Sequence, residues 1–143
     1  MSDAAFVQAT AVAIDGRAVL LMGPPGCGKS DLALRLIGRG AALIADDGVM
    51  LRVVDSRLVA DVPRDLNPRL HVAGIGIVDV ALAGPTAVAL TVTLDPAFLP
   101  LDRSVALSVF GPIHGLCVPQ IALAAFEASA PDKLLLALDR WGH

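Results

Sequence analysis

The stretch GPPGCGKS, Gly23 to Ser30, follows the apolar run Ala18 to Met22 and precedes a helical repeat, and nothing else in the chain limits its fold so narrowly. It satisfies G-x-x-x-x-G-K-[ST] in the strand-then-helix setting that this phosphate-loop (P-loop) pattern requires. The glycines free successive backbone N–H groups to curl around phosphate oxygens, and the following helix aims its positive end at the same place. Gly23, Pro24, Pro25, Gly26, Cys27, Gly28, Lys29 and Ser30 are therefore the expected nucleotide cradle. Lys29 is expected on the outer phosphates and the Ser30 hydroxyl on magnesium.

The rest of the chain is read around that loop. Phe6 to Ile14 and Ala18 to Met22 are strand-like runs joined by Asp15-Gly16, a hairpin dipeptide. From Ser30 to Arg39 the residues Leu32, Ala33, Leu36 and Ile37 recur at helical spacing, and Gly40 is placed to end the helix. Ala42 to Ala45 is a buried strand, and Val49 to Val54 with Leu58 to Val62 form a hairpin about Asp55-Ser56-Arg57. Ile75 to Leu82, Ala87 to Leu94, Val105 to Phe110 and Ile113 to Val118 are read as strands. Helices are expected over Gln120 to Ser129 and from Pro131 to about Arg140. The order predicts a strand-rich α/β domain with a central P-loop helix and C-terminal helices, a single domain over residues 1–143.

Apolar residues make up 55% of the chain, which raises the question of a membrane. The uncharged stretches do not answer to one. Val80 to Leu94 is too short to span, and Ser104 to Phe126 is interrupted by Gly111, Pro112, His114, Gly115, Pro119 and Gln120. With no basic region ahead of an apolar block at the start, a cytoplasmic protein is expected, with enough apolar surface to oligomerise. The net charge is −3 and the basic residues form no run, so no nucleic-acid footprint is expected. Cys27 and Cys117 lack metal-ligand spacing.

Asp46 and Asp47 follow the strand Ala42 to Ala45. A parallel strand beside the phosphate loop carries its carboxyl end to the phosphates, so both acids are expected near the γ-phosphate. Extended neighbours point to opposite faces. One acid is thus placed to meet the metal or Lys29, and the other to take a proton from an attacking hydroxyl. A turn ahead of Gly48 is the alternative use of both.

The loop, the helix KSDLALRLIGRG, the strand ALIADD and the later GIGIVDV together resemble the catalytic domain of bacterial HPr kinase/phosphorylase, in spacing and order from about Ile14 to Asp79. The resemblance implies a P-loop fold related to phosphoenolpyruvate carboxykinase. It implies ATP and magnesium, transfer to a serine of HPr, the phosphocarrier of the sugar phosphotransferase system, and a hexameric assembly. The short, catalytic-domain-only form is the one this chain is similar to. By the same resemblance Asp47 is the base that deprotonates the serine, with Asp46 its support.

Departures from the family pattern bear on activity. Gln8 stands where the family has a histidine, His71 where it has a metal-binding glutamate, and Ala73 where it has an arginine. Hard cations prefer oxygen to imidazole, so His71 makes a poorer magnesium ligand. Asp102-Arg103 matches a family Asp-Arg pair, and Arg103 is expected to steady charge on the transferring phosphoryl group. No lysine or arginine lies between Arg103 and Lys133, where the family's phosphate-using loop is basic, so phosphorylase activity is expected to be poor. Two other readings stay open at this level: a nucleotide-binding regulatory module without transfer, and a small-molecule P-loop kinase.

Overall fold

The computed structural model describes residues 4–63, 68–94, 106–110 and 116–143. The run expected from Phe6 to Ile14 breaks at Gln8 into β1 (Ala4–Val7) and β2 (Ala9–Ile14), because its halves serve different neighbours. Strand β2 turns into β3 (Arg17–Met22) through Asp15 and Gly16, whose φ values of 50° and 74° are those of a type I′ hairpin turn. Helix α1 (Lys29–Ile37) follows, ending before Gly40 at φ 102°. Strand β4 (Ala42–Ala45) comes next. Strands β5 (Val49–Val54) and β6 (Arg57–Asp61) pair through Asp55 and Ser56, both left-handed, so Arg57 belongs to the strand and not the turn.

Two expectations fail beyond this point. The strand read over Ile75 to Leu82 contracts to β8 (Gly76–Val78), which pairs only β7 (Leu70–Val72) in a small separate ribbon. The longest described strand, β9 (Thr86–Thr93), follows. Strands β10 (Ala106–Phe110) and β11 (Leu116–Ala122) then pair antiparallel. No helix forms over Gln120 to Ser129. Strand β11 runs through Pro119 to Ala122 because Gln120, Ile121 and Ala122 pair with Thr91, Val92 and Thr93 of β9. Helix α2 (Ala130–Trp141) starts where Pro131 predicts.

Among the described residues the main sheet has nine strands, with the path β1-β5-β6-β9-β3-β2-β4, β11 paired with β9, and β10 paired with β11. The side-chain period of two sorts its residues between two cores. Val12, Val19, Leu21, Leu90 and Val92 face α1 and α2, whereas Ala11, Ala18, Leu20 and Val88 face the layer made by Val49, Leu51 and Leu58. The central strands are therefore covered on both faces, which accounts for much of the apolar content. Among the described residues no helix is long and apolar enough to cross a membrane.

Strand β4 reaches the site by a route other than the one expected. Its neighbour is β2, which pairs antiparallel with both β3 and β4. Two antiparallel steps make β4 run in the same direction as β3, so both still deliver their carboxyl ends to one edge of the sheet.

Candidate functional site

The glycine loop leaves β3 at Gly23 and enters α1 at Lys29. Gly28 caps the helix at φ 100°, and a Cβ there would lie 2.9 Å from Ala125 Cβ and 3.0 Å from Phe126 Cζ. Glycine is thus required both by the backbone and by the chain packed over it. Lys29 is only 8% exposed. Its Nζ donates to the carbonyls of Gly23 at 2.8 Å and Pro24 at 3.2 Å, which hold the amine at the mouth of the loop. The Sγ of Cys27 lies 4.0 Å from the same nitrogen.

Asp46 is the hub beneath this loop. Its Oδ1 accepts from the hydroxyls of Ser30 and Thr10, each at 2.8 Å, and its Oδ2 accepts from the backbone N–H of His71 at 3.1 Å. Three elements are tied to one carboxylate: β2, α1 and β7. Thr10 is fully buried, and its hydroxyl oxygen also accepts from the N–H of Asp47 at 3.3 Å. Asp47 takes φ 58°, unusual for a residue with a Cβ, and its side chain is exposed. The two acids do part company, but through this left-handed turn and not through the pleat of a strand.

Lys29, Ser30, Asp31, Asp46, Asp47 and His71 line one open cavity of about 540 Å³, together with Pro25, Gly26, Gly28, Leu34, Val72, Ala73 and Phe126. Of the expected site, Pro25, Gly26, Gly28, Lys29, Ser30, both acids and His71 are therefore brought together, whereas Gly23, Pro24 and Cys27 do not line this cavity. Arg103 lies outside the described residues, as do Asp102 and His114. Gln8 is exposed at the break between β1 and β2 and does not line the cavity. Among the described residues no three His, Cys, Asp or Glu side chains group as a metal site. Magnesium does not need such a group: one or two oxygen ligands with substrate phosphates and waters suffice, and the Ser30 hydroxyl beside the Asp46 carboxylate is a donor set of that kind.

Sequence reasoning missed Thr10, Arg35 and Phe126. Thr10 left a signal, as the one hydroxyl within the otherwise apolar ATAVAI. Arg35 and Phe126 left none, because their association joins positions 91 apart in the chain.

Comparison with known proteins gives the family and the fold of the chain. Residues 1–95 match the family model described as the HPr serine kinase C-terminal domain. An HPr kinase/phosphorylase from Peptoclostridium acidaminophilum is 44% identical over 75 residues, which are 52% of this chain and 24% of that protein. One from Clostridium acetobutylicum is 42% identical over 83 residues, 57% of this chain and 27% of that protein. The chain thus spans about a quarter of the length of these curated relatives. The solved structure of the HPr(Ser) kinase/phosphatase from Coxiella burnetii superposes with a TM-score of 0.79 at 28% identity, covering 95% of this chain and 88% of that one.

Proposed function

This chain belongs to the HPr serine kinase C-terminal domain family, and from that premise we propose that it is an ATP-dependent kinase acting on a serine of the carrier HPr. The observation that carries the reading is the convergence of Lys29, Ser30, Asp46 and Asp47 on one cavity behind a glycine loop. In this reading Gly23 to Gly28 cradle the phosphates with their N–H groups, and Lys29 leaves its carbonyl partners for the outer phosphates. The charge of the cavity supports a cation requirement: with Asp31 paired to Arg35, Asp46 and Asp47 still oppose the one ammonium among its described lining, that of Lys29. Magnesium, when bound, supplies the missing positive charge, held by Ser30 and Asp46 with His71 at the rim as a weaker contributor.

The Asp47 carboxylate takes the proton of the serine hydroxyl, the serine oxygen bonds to the γ-phosphorus, and the bond to the β-phosphate oxygen of ATP breaks to release ADP. Asp46 is already committed to Ser30, Thr10 and the His71 N–H. Asp47 is free of side-chain hydrogen bonds to those groups and points outward, which suits a group that must meet a second substrate. Arg103 is proposed to steady the transferring group. A hexamer in the cytoplasm and weak reversal by inorganic phosphate complete the reading.

The test is incubation with labelled ATP, magnesium and purified HPr. Phosphoserine on HPr that disappears when magnesium is chelated is the expected result. ATP binding without any transfer would instead favour the nucleotide-binding regulatory module, a reading that Ala73 supports by lining the cavity where the family resemblance calls for arginine.

A further inference from the structure

Phe126 is a large apolar side chain left 71% exposed, directly over the glycine loop. Its ring edge meets the loop at Gly28, where a Cβ would sit 3.0 Å from Cζ and 3.2 Å from Cε1. The backbone on both sides of it is anchored. Arg35, on the helix that begins at the loop, donates through Nη2 to the carbonyl of Ala125 and through Nη1 to that of Glu127, the latter at 3.0 Å. Asp31 holds the same guanidinium at 2.9 Å, one helical turn earlier. Helix α1 thus positions the segment 125–127 against its own N-terminus, and Phe126 is presented there with a face open to solvent.

Two hollows meet at that ring. The first is the cavity of Lys29, Ser30 and Asp46. The second, of about 280 Å³, lies among Pro24, Pro25, Cys27, Leu94, Ala124 and Phe126 and has no charged side chain among its described lining. They share Pro25, Gly26 and Phe126. One carries the charged and hydroxyl side chains suited to phosphates and their cation, and its neighbour is apolar and suited to a flat heterocycle. An exposed ring that buries little of itself gains most from a partner that covers its face, and stacking on a base is tolerant of the base's polar edge.

We infer that Phe126 is the base shelf of this site: the purine of the bound nucleoside triphosphate stacks on its ring in the apolar hollow while the phosphates reach Lys29 and Ser30. Arg35 is the positioning residue that holds the shelf. The inference rests on the nucleotide reading above and adds the part of the ligand that the glycine loop does not recognise.

The experiment compares the affinity of magnesium-ATP with that of magnesium-tripolyphosphate, which has the phosphates and no base. Wild type is expected to prefer ATP, and Phe126→Ala to weaken ATP by about 10- to 100-fold while leaving tripolyphosphate unchanged. Phe126→Trp is expected to restore ATP affinity and to report it by a fluorescence change that tripolyphosphate does not produce, against the background of Trp141, the one native tryptophan. Arg35→Met is expected to reduce the same preference for ATP over tripolyphosphate, which a purely structural role would not move. Equal weakening of both ligands by Phe126→Ala, or unchanged ATP affinity in it while Lys29→Ala loses ATP, overturns the shelf and leaves the phosphate site standing. Failure of wild type to bind either ligand overturns both.

Discussion

The floor and the rim of the cavity are built in opposite ways. On the floor the polar groups are shared: Asp46 serves Ser30, Thr10 and the His71 N–H, and buried Thr10 serves both acids. On the rim, Asp47, His71 and Phe126 are exposed. Sequence neighbours fall on different sides of this division, as Asp46 and Asp47 show. The contrast teaches that residue type and proximity do not assign a role here. A side chain already consumed by the fold holds the site together, and one held in place by its backbone alone is available to a substrate.

Substitutions can break or sharpen that division. The largest effect is expected from Lys29→Ala, which removes the cation of the loop and should weaken ATP binding by about 100-fold, as read by calorimetry. Because the side-chain bonds of Lys29 among the described residues all go to the loop itself, its loss should leave the unfolding transition close to that of wild type. A smaller effect, but on the fold, is expected from Thr10→Val. It keeps the shape of the side chain and withdraws one donor from Asp46 and the acceptor of the Asp47 N–H, at a cost of about 1–3 kcal/mol in chemical denaturation. An unchanged midpoint would mean that the floor is not held by Thr10. The smallest effect is expected from Asp31→Asn, which weakens a pair between exposed Asp31 and half-buried Arg35 and should lower stability by no more than about 0.5 kcal/mol. A larger loss there would mean that Asp31, and not the two carbonyls alone, holds Arg35 in place.

What was legible in the sequence was local. Asp15-Gly16 and Gly40 act through their own backbone angles, and Leu32, Ala33 and Leu36 need only the helix period to find the core. The loop and both acids were legible for the same reason, since Gly28 and Lys29 are chemically singular. What failed depended on distant partners. The letters from Gln120 to Ser129 suit a helix, yet the first three are taken by β9, and the carbonyl of Pro119 accepts the hydroxyl of Thr91. The apolar run from Ile75 to Leu82 reads as one strand, but among the described residues no second layer covers the β7–β8 ribbon at Ile75 and Ile77, which are 75% and 69% exposed. The direction of β4 was read correctly by an adjacency that does not exist, because β2 stands between it and β3. Phe126 was invisible because its place over Gly28 is set by Arg35 of α1, 91 residues earlier in the chain.

The measurement that bears most directly on the division between floor and rim is phosphoryl transfer from ATP to HPr by Asp47→Asn and Asp46→Asn, each assayed beside its ATP affinity and unfolding midpoint. Asparagine keeps the shape of aspartate and cannot take the serine proton. Asp47→Asn is therefore expected to bind ATP as wild type does, to unfold at the same midpoint, and to lose about 10²- to 10⁴-fold in turnover. Asp46→Asn is expected to lose stability and ATP affinity together, because Ser30, Thr10 and the His71 N–H all depend on its carboxylate. Wild-type turnover in Asp47→Asn, with the selective loss falling on Asp46→Asn, would contradict the account.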